Sequence, residues 1–170
     1  MIINFRSDEI AQNPYNMNCM PYLIDGHNLI PKIPGLRLDQ LDDEKALFSL
    51  LDEHFKRIRK KAVVYFDRAS HGSHSGFSSA YLHAHFVRSP SSADEAILLR
   101  LKELGGDARN YTIVTSDHWI ADNAHAVGAS VISSDNFARK LLTDHSKPQN
   151  KSKNSKSDID YWLDIFQKKS

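Results

Sequence analysis

The sequence predicts an α/β fold, a three-layer α/β/α sandwich built on a mainly parallel five-stranded sheet. Two observations lead to this prediction. Short apolar runs alternate along the chain with longer segments whose apolar residues recur at helical spacing, which is typical of a parallel sheet covered by helices on both faces. The chain has 170 residues, 41% of them hydrophobic and 25% charged, which fits one ordinary globular domain.

Local patterns place the elements of this fold in order. The run 81–87 alternates, with His83 and His85 on one face, which indicates a half-exposed edge strand. The stretch 68–79 before it is rich in Ser, Gly and His and predicts a mobile loop. The predicted strands are 22–24, 62–66, 81–87, 111–114 and 130–132. The predicted helices are 39–60, 92–104, one that follows Asp117 and ends at Val127, and one that follows Asp135 and ends at Leu142.

Composition divides the chain into four parts. Residues 1–19 are polar and Asn-rich and predict an irregular N-terminal arm, whereas residues 20–145 carry the alternating pattern and form the domain. Residues 146–157 are rich in Lys and Ser and contain no acid, which is typical of a flexible linker. In residues 158–170 apolar side chains recur at helical spacing, which predicts an amphipathic helix that docks on the domain or on a partner.

Charge and cysteine content exclude several classes of protein. The chain has 22 Lys and Arg against 21 Asp and Glu, so no overall positive field points to nucleic acid. Cys19 is the only cysteine, which rules out a disulfide framework and a cysteine-based zinc site. No apolar run approaches the ~18 residues of a membrane span. The N-terminal residues also lack the apolar segment of a signal peptide. We therefore expect a cytoplasmic protein that does not enter a membrane.

Five acids follow the predicted strands. Because the carboxyl ends of parallel strands meet at one edge of a sheet, these acids are expected to lie together there. Two carboxylates about 4 Å apart repel by about 4 kcal/mol at an effective dielectric constant of about 20. A hard divalent cation with oxygen ligands is the usual compensation for such a cluster. The five acids are Asp25, Asp67, Asp94, Asp117 and Asp135.

Helix capping explains some acids near this edge without any chemistry. Ser92 and Glu95 have the spacing of a capping box, which accounts for Glu95. Asp94 is not explained in this way, because it shares a helix face with apolar residues and so points toward the edge of the sheet. Asp117 likewise shares a helix face with apolar residues, although capping alone would also explain it. Asp25 is the hardest to explain by capping, since it directly ends what should be a central strand.

Other chemistries find less support in the sequence. Two histidines at i and i+2 on a strand, as in His83 and His85, bind zinc in some proteins, but an exposed polar strand face accounts for them as well. The chain has neither a glycine-rich phosphate loop nor a G-x-S-x-G elbow. A phosphatase with an aspartyl nucleophile usually has a second Asp two residues after the first, and here that position is His27.

Five segments carry a resemblance to a known family. They are Tyr22-Leu23-Ile24-Asp25-Gly26-His27-Asn28-Leu29-Ile30, Val64-Tyr65-Phe66-Asp67, Ser92-Ala93-Asp94-Glu95, Val114-Thr115-Ser116-Asp117, and Gly128-Ala129 with Ile132-Ser133 and Phe137. In this order and spacing, over about residues 20–142, they resemble NYN domains, especially the YacP-like branch of the PIN-like ribonuclease superfamily. His27 departs from the family pattern, in which Tyr is common at this position.

The resemblance implies a PIN-like sandwich with the strand order 3-2-1-4-5 and a metal-dependent ribonuclease, in the first place an endonuclease, that uses Mg²⁺ or Mn²⁺. Its catalytic residues would be Asp25, Asn28, Asp94 and Asp117. The three aspartates would hold the cation, and Asn28 would orient Asp25 or a metal-bound water. Products with 5′-phosphate and 3′-hydroxyl ends are implied as well. The supporting acids would be Asp67, Glu95 and Asp122.

RNA would be the partner of such an enzyme, attracted by local rather than net charge. The candidate RNA-binding residues are Arg68, Arg88, Lys60 and Lys61, for which a solvated surface is the competing explanation. Two other functions remain open at this point: a non-catalytic RNA-binding or scaffold domain, and another metal-dependent phosphohydrolase. The sequence does not indicate an oligomeric state.

Overall fold

A computed structural model describes residues 21–38, 41–67 and 77–146 of the chain. Five strands form one sheet: β1 Tyr22–Asp25, β2 Ala62–Asp67, β3 Leu82–Val87, β4 Thr112–Val114 and β5 Ser130–Ile132. The strands are all parallel and lie in the order β3-β2-β1-β4-β5. The central strand β1 pairs with β2 and β4, so that Ile24 lies opposite Val64 on one side and Val114 on the other.

Helices cover both faces of the sheet and connect β1 to β2, β3 to β4 and β4 to β5. The α-helices are α1 Gly26–Leu29, α2 Leu41–Ile58, α3 Ala93–Leu104, α4 His118–Ala126 and α5 Ser134–Ser146. Two 3₁₀ turns, Ile30–Lys32 and Gly105–Asn110, follow α1 and α3. Every crossover therefore returns the chain to the same end of the sheet, and the carboxyl ends of all five strands share one edge.

Alternation along β1 sends its side chains into two apolar cores. Tyr22 and Ile24 face a core that α2 and α5 close, with Phe55 of α2 fully buried in it. Leu23 faces a second core that α3 and α4 close, with Ile97 of α3 fully buried in it. Because both faces are covered, the central strand β1 is apolar from Tyr22 to Ile24.

The predicted fold class and strand order are confirmed, and the element boundaries differ at a few positions. Strand β2 includes Asp67, and the last helix does not end at Leu142. It continues to Ser146, so the first residue of the predicted linker is helical. The extra turn is held to α2, because Asp144 lies 3.4 Å from the guanidinium of Arg57. The four-residue helix α1 is an element that the sequence pattern did not predict.

Strand β3 is the edge strand that the alternation predicts. From Leu82 to His85 its residues alternate between buried and partly or fully exposed positions, with His83 and His85 on the less buried side, and Val87 at its end is buried. The last residues of the predicted loop cover part of its outer edge, since Ser78 and His83 form an antiparallel bridge and the Ala84 amide donates to the Phe77 carbonyl at 2.8 Å.

Several predicted features lie outside the described residues. They are the arm 1–19, most of the loop 68–79 with Arg68, the linker beyond 146, and the helix 158–170. In the part of the chain that the structure describes, no helix is both long enough and apolar enough to cross a bilayer.

Candidate active site

Asp25 ends β1 at the carboxyl edge of the sheet and is fully buried. It caps α1: its Oδ1 accepts a hydrogen bond from the Asn28 backbone N–H at 3.0 Å. The side-chain amide of Asn28 donates to Oδ2 of the same carboxylate. Asn28 therefore orients Asp25, as the resemblance implies. Gly26 permits this close turn, because a Cβ there would lie 2.4 Å from the Phe66 ring.

Thr115 joins two of the acids, a role that sequence reasoning missed. Its buried Oγ1 donates to Asp25 Oδ2 at 3.1 Å and accepts from the Asp117 backbone N–H, also at 3.1 Å. The ends of β1 and β4 are thus tied through one hydroxyl. The available signal was the position of Thr115, directly after a buried strand and two residues before Asp117.

Asp117 caps α4 at the same edge. Its Oδ1 accepts from the Ile120 backbone N–H at 3.0 Å, which satisfies one of the free N–H groups of the first turn. The carboxylate is half-buried. The capping explanation is therefore correct for Asp117, and it leaves Oδ2 available for another ligand.

Asp94 lies within electrostatic range of three other acids. It lies in the first turn of α3, and its pKa is raised above the ordinary value. Burial is the largest cause, followed by the negative charges of Asp25, Asp117 and Asp67, while His27 acts in the opposite direction. Acids from three other strand ends therefore act on the carboxyl group of Asp94. Within the described residues, no hydrogen bond to the Asp94 carboxylate compensates for this repulsion.

Asp67 and His27 lie beside these acids. Asp67 Oδ1 accepts from the Ala93 backbone N–H at 2.5 Å, which ties the end of β2 to the start of α3. His27 Nδ1 lies 3.8 Å from Asp67 Oδ2 and 3.3 Å from its backbone nitrogen. The hydrogen bond to Ala93 holds the first turn of α3, which carries Asp94, at the end of β2. This contact fits the supporting role that the resemblance implies for Asp67.

The two other candidate supporting acids have different surroundings. Glu95 forms the predicted capping box: its Oε2 accepts from the Ser92 N–H and its own N–H donates to the Ser92 hydroxyl, each at 3.2 Å. Asp122 is exposed on α4 and is not among the acids that raise the pKa of Asp94. The structure therefore gives Glu95 a helix-capping role and does not bring Asp122 to Asp94.

The candidate RNA-binding residues lie on two different edges. Arg88 is exposed and follows β3, so it lies at the edge that carries the acids. Lys60 and Lys61 precede β2 and lie at the opposite edge, where the Lys60 ammonium is 5.6 Å from the centre of the Tyr22 ring. The structure therefore does not bring these two lysines to the acidic site.

Lys32 is a cation at the acidic edge that sequence reasoning missed. It lies in the 3₁₀ turn after α1, and its Nζ is 3.1 Å from Asp135 Oδ1. Asp135 Oδ2 is 3.5 Å from the hydroxyl of Ser116, the residue before Asp117. The ion pair therefore places Lys32 beside the acids. Pattern analysis gave no sign of it, because the turn that carries Lys32 is too short to show a period.

The donor set fits a hard divalent cation. Within the described residues, no three His, Cys, Asp or Glu side chains are grouped closely enough to hold a metal ion as they stand. The available atoms are nevertheless all carboxylate oxygens, the ligands that Mg²⁺ and Mn²⁺ prefer. Asp25 accepts three hydrogen bonds and, with about four lone-pair sites on a carboxylate, keeps about one free. Asp94 and Asp117 keep more.

A comparison with known protein families identifies the family of this chain. A sequence model described as the YacP-like NYN domain matches residues 22–169 of the chain. The chain belongs to this family. YacP-like NYN domains are part of the PIN-like ribonuclease superfamily, and NYN domains are generally ribonucleases that use divalent metal ions. The resemblance that the five segments indicate is confirmed.

Solved structures of this family share the fold. A crystal structure of Rae1 (YacP) from Bacillus subtilis aligns with a TM-score of 0.64 at 20% identity, over 90% of this chain and 83% of that chain. A structure of a point mutant of the same protein aligns with a TM-score of 0.60 at 22% identity, over 74% and 76% of the two chains. No functionally curated protein matches the chain.

Proposed function

We propose that this YacP-like NYN domain is a metal-dependent ribonuclease, in the first place an endonuclease, that hydrolyses RNA phosphodiester bonds in the cytoplasm. The observation that carries the proposal is the placement of Asp25, Asp67, Asp94 and Asp117 at one edge of the sheet, where burial and the charges of the other three acids raise the pKa of Asp94. A domain that only binds RNA gains nothing from an acidic cluster without compensation, since it repels phosphate. A cluster that binds a divalent cation attracts phosphate instead.

Each residue of the site has a part in this proposal. Asp25, Asp94 and Asp117 would hold Mg²⁺ or Mn²⁺. The chemistry that such a cation supplies when bound is a water of lowered pKa for in-line attack, and neutralisation of phosphate charge. Asn28 and Thr115 fix the Asp25 carboxylate by hydrogen bonds, so that its orientation does not change when substrate enters.

The test combines metal binding with cleavage in a variant that keeps the fold. Asp117→Asn removes a charge but retains a good helix cap, because Asn and Asp cap helices equally well. We expect Mn²⁺ to stabilise the wild-type protein by about 2.7 kcal/mol at a concentration of about 100 times its dissociation constant. We expect Asp117→Asn to lose both this stabilisation and the cleavage of RNA.

Asp107→Asn is the matched control, because Asp107 is exposed in the 3₁₀ turn before β4, at the opposite edge of the sheet. Thermal melts with EDTA, Mg²⁺ or Mn²⁺ and gel assays on labelled RNA give the readout. Melts that do not respond to metal, together with RNA binding, would favour the scaffold function. Hydrolysis of phosphomonoesters without cleavage of RNA would favour another phosphohydrolase.

Lys32 gives a second, independent prediction about RNA. We propose that it contacts a phosphate next to the site, together with Arg88 at the same edge and Arg68 outside the described residues. Lys32→Ala is expected to raise KM and to make the salt dependence of single-stranded RNA binding shallower by about 0.7 in the log–log slope. Lys102→Ala is the control, since Lys102 is exposed in the last turn of α3 at the far edge. Equal slopes for the two variants would contradict the role of Lys32.

A further inference from the structure

An exposed tryptophan lies beside the acidic site. Trp119 is 68% exposed, and it follows Asp117 by two residues in the first turn of α4. Among the described residues, only two other large apolar side chains, Leu38 and Leu99, are comparably exposed. Single exposed apolar side chains are common on protein surfaces. The position of Trp119, next to a proposed metal ligand, is what distinguishes it from the two leucines.

Within the part of the chain that the structure describes, the Trp119 indole makes no hydrogen bond and no ring contact. Helix α4 packs into the second core through Ile120 and Ala124, both fully buried. Trp119 takes part in the helix through its backbone carbonyl, which accepts from the Asn123 side-chain amide at 2.8 Å. In the described part of the chain, no aromatic ring packs against the indole. Truncation of this side chain therefore leaves the described packing intact.

Trp119 and Lys32 lie on opposite sides of the acids. The 3₁₀ turn that carries Lys32 packs through Ile30 into the core on one face of the sheet, and α4 packs into the core on the other face. Both residues nevertheless lie at the carboxyl edge, with the acids between them. A nucleic-acid strand that crosses this edge over the acids would reach a cation on one side and a flat aromatic ring on the other.

We propose that Trp119 is a stacking platform for an unpaired nucleobase of the RNA, adjacent to the phosphate that is cleaved. The inference deepens the proposed function and rests on it. Every nucleobase has an aromatic face, so this contact favours no particular sequence. It requires a base that is not stacked in a duplex, and it therefore makes single-stranded RNA, or an unpaired loop, the substrate class of the site.

Equilibrium binding tests the contact without cleavage. A fluorescently labelled single-stranded oligonucleotide with 2′-O-methyl groups is titrated in EDTA, and the dissociation constant is measured by anisotropy. Trp119→Ala is expected to weaken binding by about 5- to 100-fold, the range for loss of one base–aromatic stack. Trp119→Phe keeps a ring and is expected to stay within about threefold of the wild type. A duplex of the same sequence should bind all three proteins alike.

Leu99→Ala is the matched control, since it also shortens an exposed apolar side chain, 59% exposed, in the middle of α3. A second readout is intrinsic fluorescence: the chain has two tryptophans, Trp119 and Trp162. Oligonucleotide should quench the emission of Trp162→Phe, in which only Trp119 emits, and an abasic nucleotide at the stacked position should reduce the quenching.

The outcomes separate this inference from the proposed function. Unchanged single-strand affinity in Trp119→Ala, equal to that of Leu99→Ala, overturns the stacking role and leaves the indole to a protein partner. A large loss of affinity in Trp119→Ala, together with absence of cleavage by the wild type in Mg²⁺ or Mn²⁺, supports the stacking role and rejects the ribonuclease. Cleavage by the wild type, with single-strand and duplex affinities equally reduced in Trp119→Ala, rejects the substrate class alone.

Discussion

Replacing Asp94 by asparagine is expected to abolish metal-dependent RNA cleavage and, in the same protein, to raise the melting temperature measured in EDTA. The reason is that Asp94 is held among like charges, which raise its pKa, and no described hydrogen bond compensates for them. The neutral amide removes this repulsion and also removes a proposed metal ligand. We expect the rate to fall at least about a hundredfold, since even indirect partners of metal ligands are worth 10- to 100-fold.

The neighbouring residue provides the control for Asp94→Asn. Glu95→Gln removes the same charge from the same helix turn, and Gln can complete a capping box as Glu does. It is expected to keep the wild-type melting temperature and most of the activity, because Glu95 is engaged with Ser92. If Asp94→Asn and Glu95→Gln lowered activity to the same extent, Glu95 would be a catalytic acid after all.

The pH dependence of stability gives a further check on Asp94. Because its pKa is raised in the folded state, Asp94 favours folding at pH values below its ordinary pKa, and this contribution is lost as the pH rises through the raised pKa. In EDTA, the difference in melting temperature between Asp94→Asn and the wild type should therefore grow with pH across this interval. The stabilisation of the wild type by Mn²⁺ should also increase with pH, since a cation binds the ionised carboxylate.

Replacing Gly26 by alanine is expected to destabilise the protein and to impair cleavage together. A Cβ at this position would lie 2.4 Å from the Phe66 ring and 2.8 Å from the Tyr65 carbonyl oxygen, and the second atom belongs to the backbone of β2. Overpacking of this kind costs about 1–3 kcal/mol. The shift that relieves the contact would displace α1, and with it the Asn28 groups that orient Asp25.

Gly106→Ala is the control for Gly26→Ala. The nearest atom to a Cβ there is the end of the flexible Arg109 side chain, at 3.3 Å. Urea unfolding and initial cleavage rates should separate the two variants clearly. Wild-type stability in Gly26→Ala would show that the Phe66 ring gives way at little cost. In that case, the close packing of α1 on β2 would not be what positions Asp25.

The sequence was sufficient for the sheet and for the edge at which the acids lie, because both follow from one rule. Apolar runs separated by helical segments require parallel strands, and parallel strands place the residues after them at one edge. Asp25 and Asp67 end their strands, Asp117 lies three residues after β4, and Asp94 lies in the first turn of the helix after β3. The spacing of these acids from their strands in the sequence was therefore enough to predict the edge of the sheet at which they lie.

What the sequence did not reveal depends on short or irregular segments. Helix α1 has four residues, too few to show a helical period, and Lys32 reaches the site only through the turn that follows it. Thr115 acts through one hydroxyl that no pattern distinguishes from an ordinary buried threonine. The position of Lys60 and Lys61 could have been derived, since residues that precede a strand lie at the opposite edge from those that follow it.

Asp117 has a consequence for how this family can diverge. One oxygen of its carboxylate begins a helix, while the other is free for a ligand. Asparagine begins a helix as well as aspartate does, so under the proposed mechanism a single base change in the gene would end the chemistry without unfolding the chain. An inactive descendant that keeps the architecture and acquires new partners would then lie one substitution away from an active ancestor.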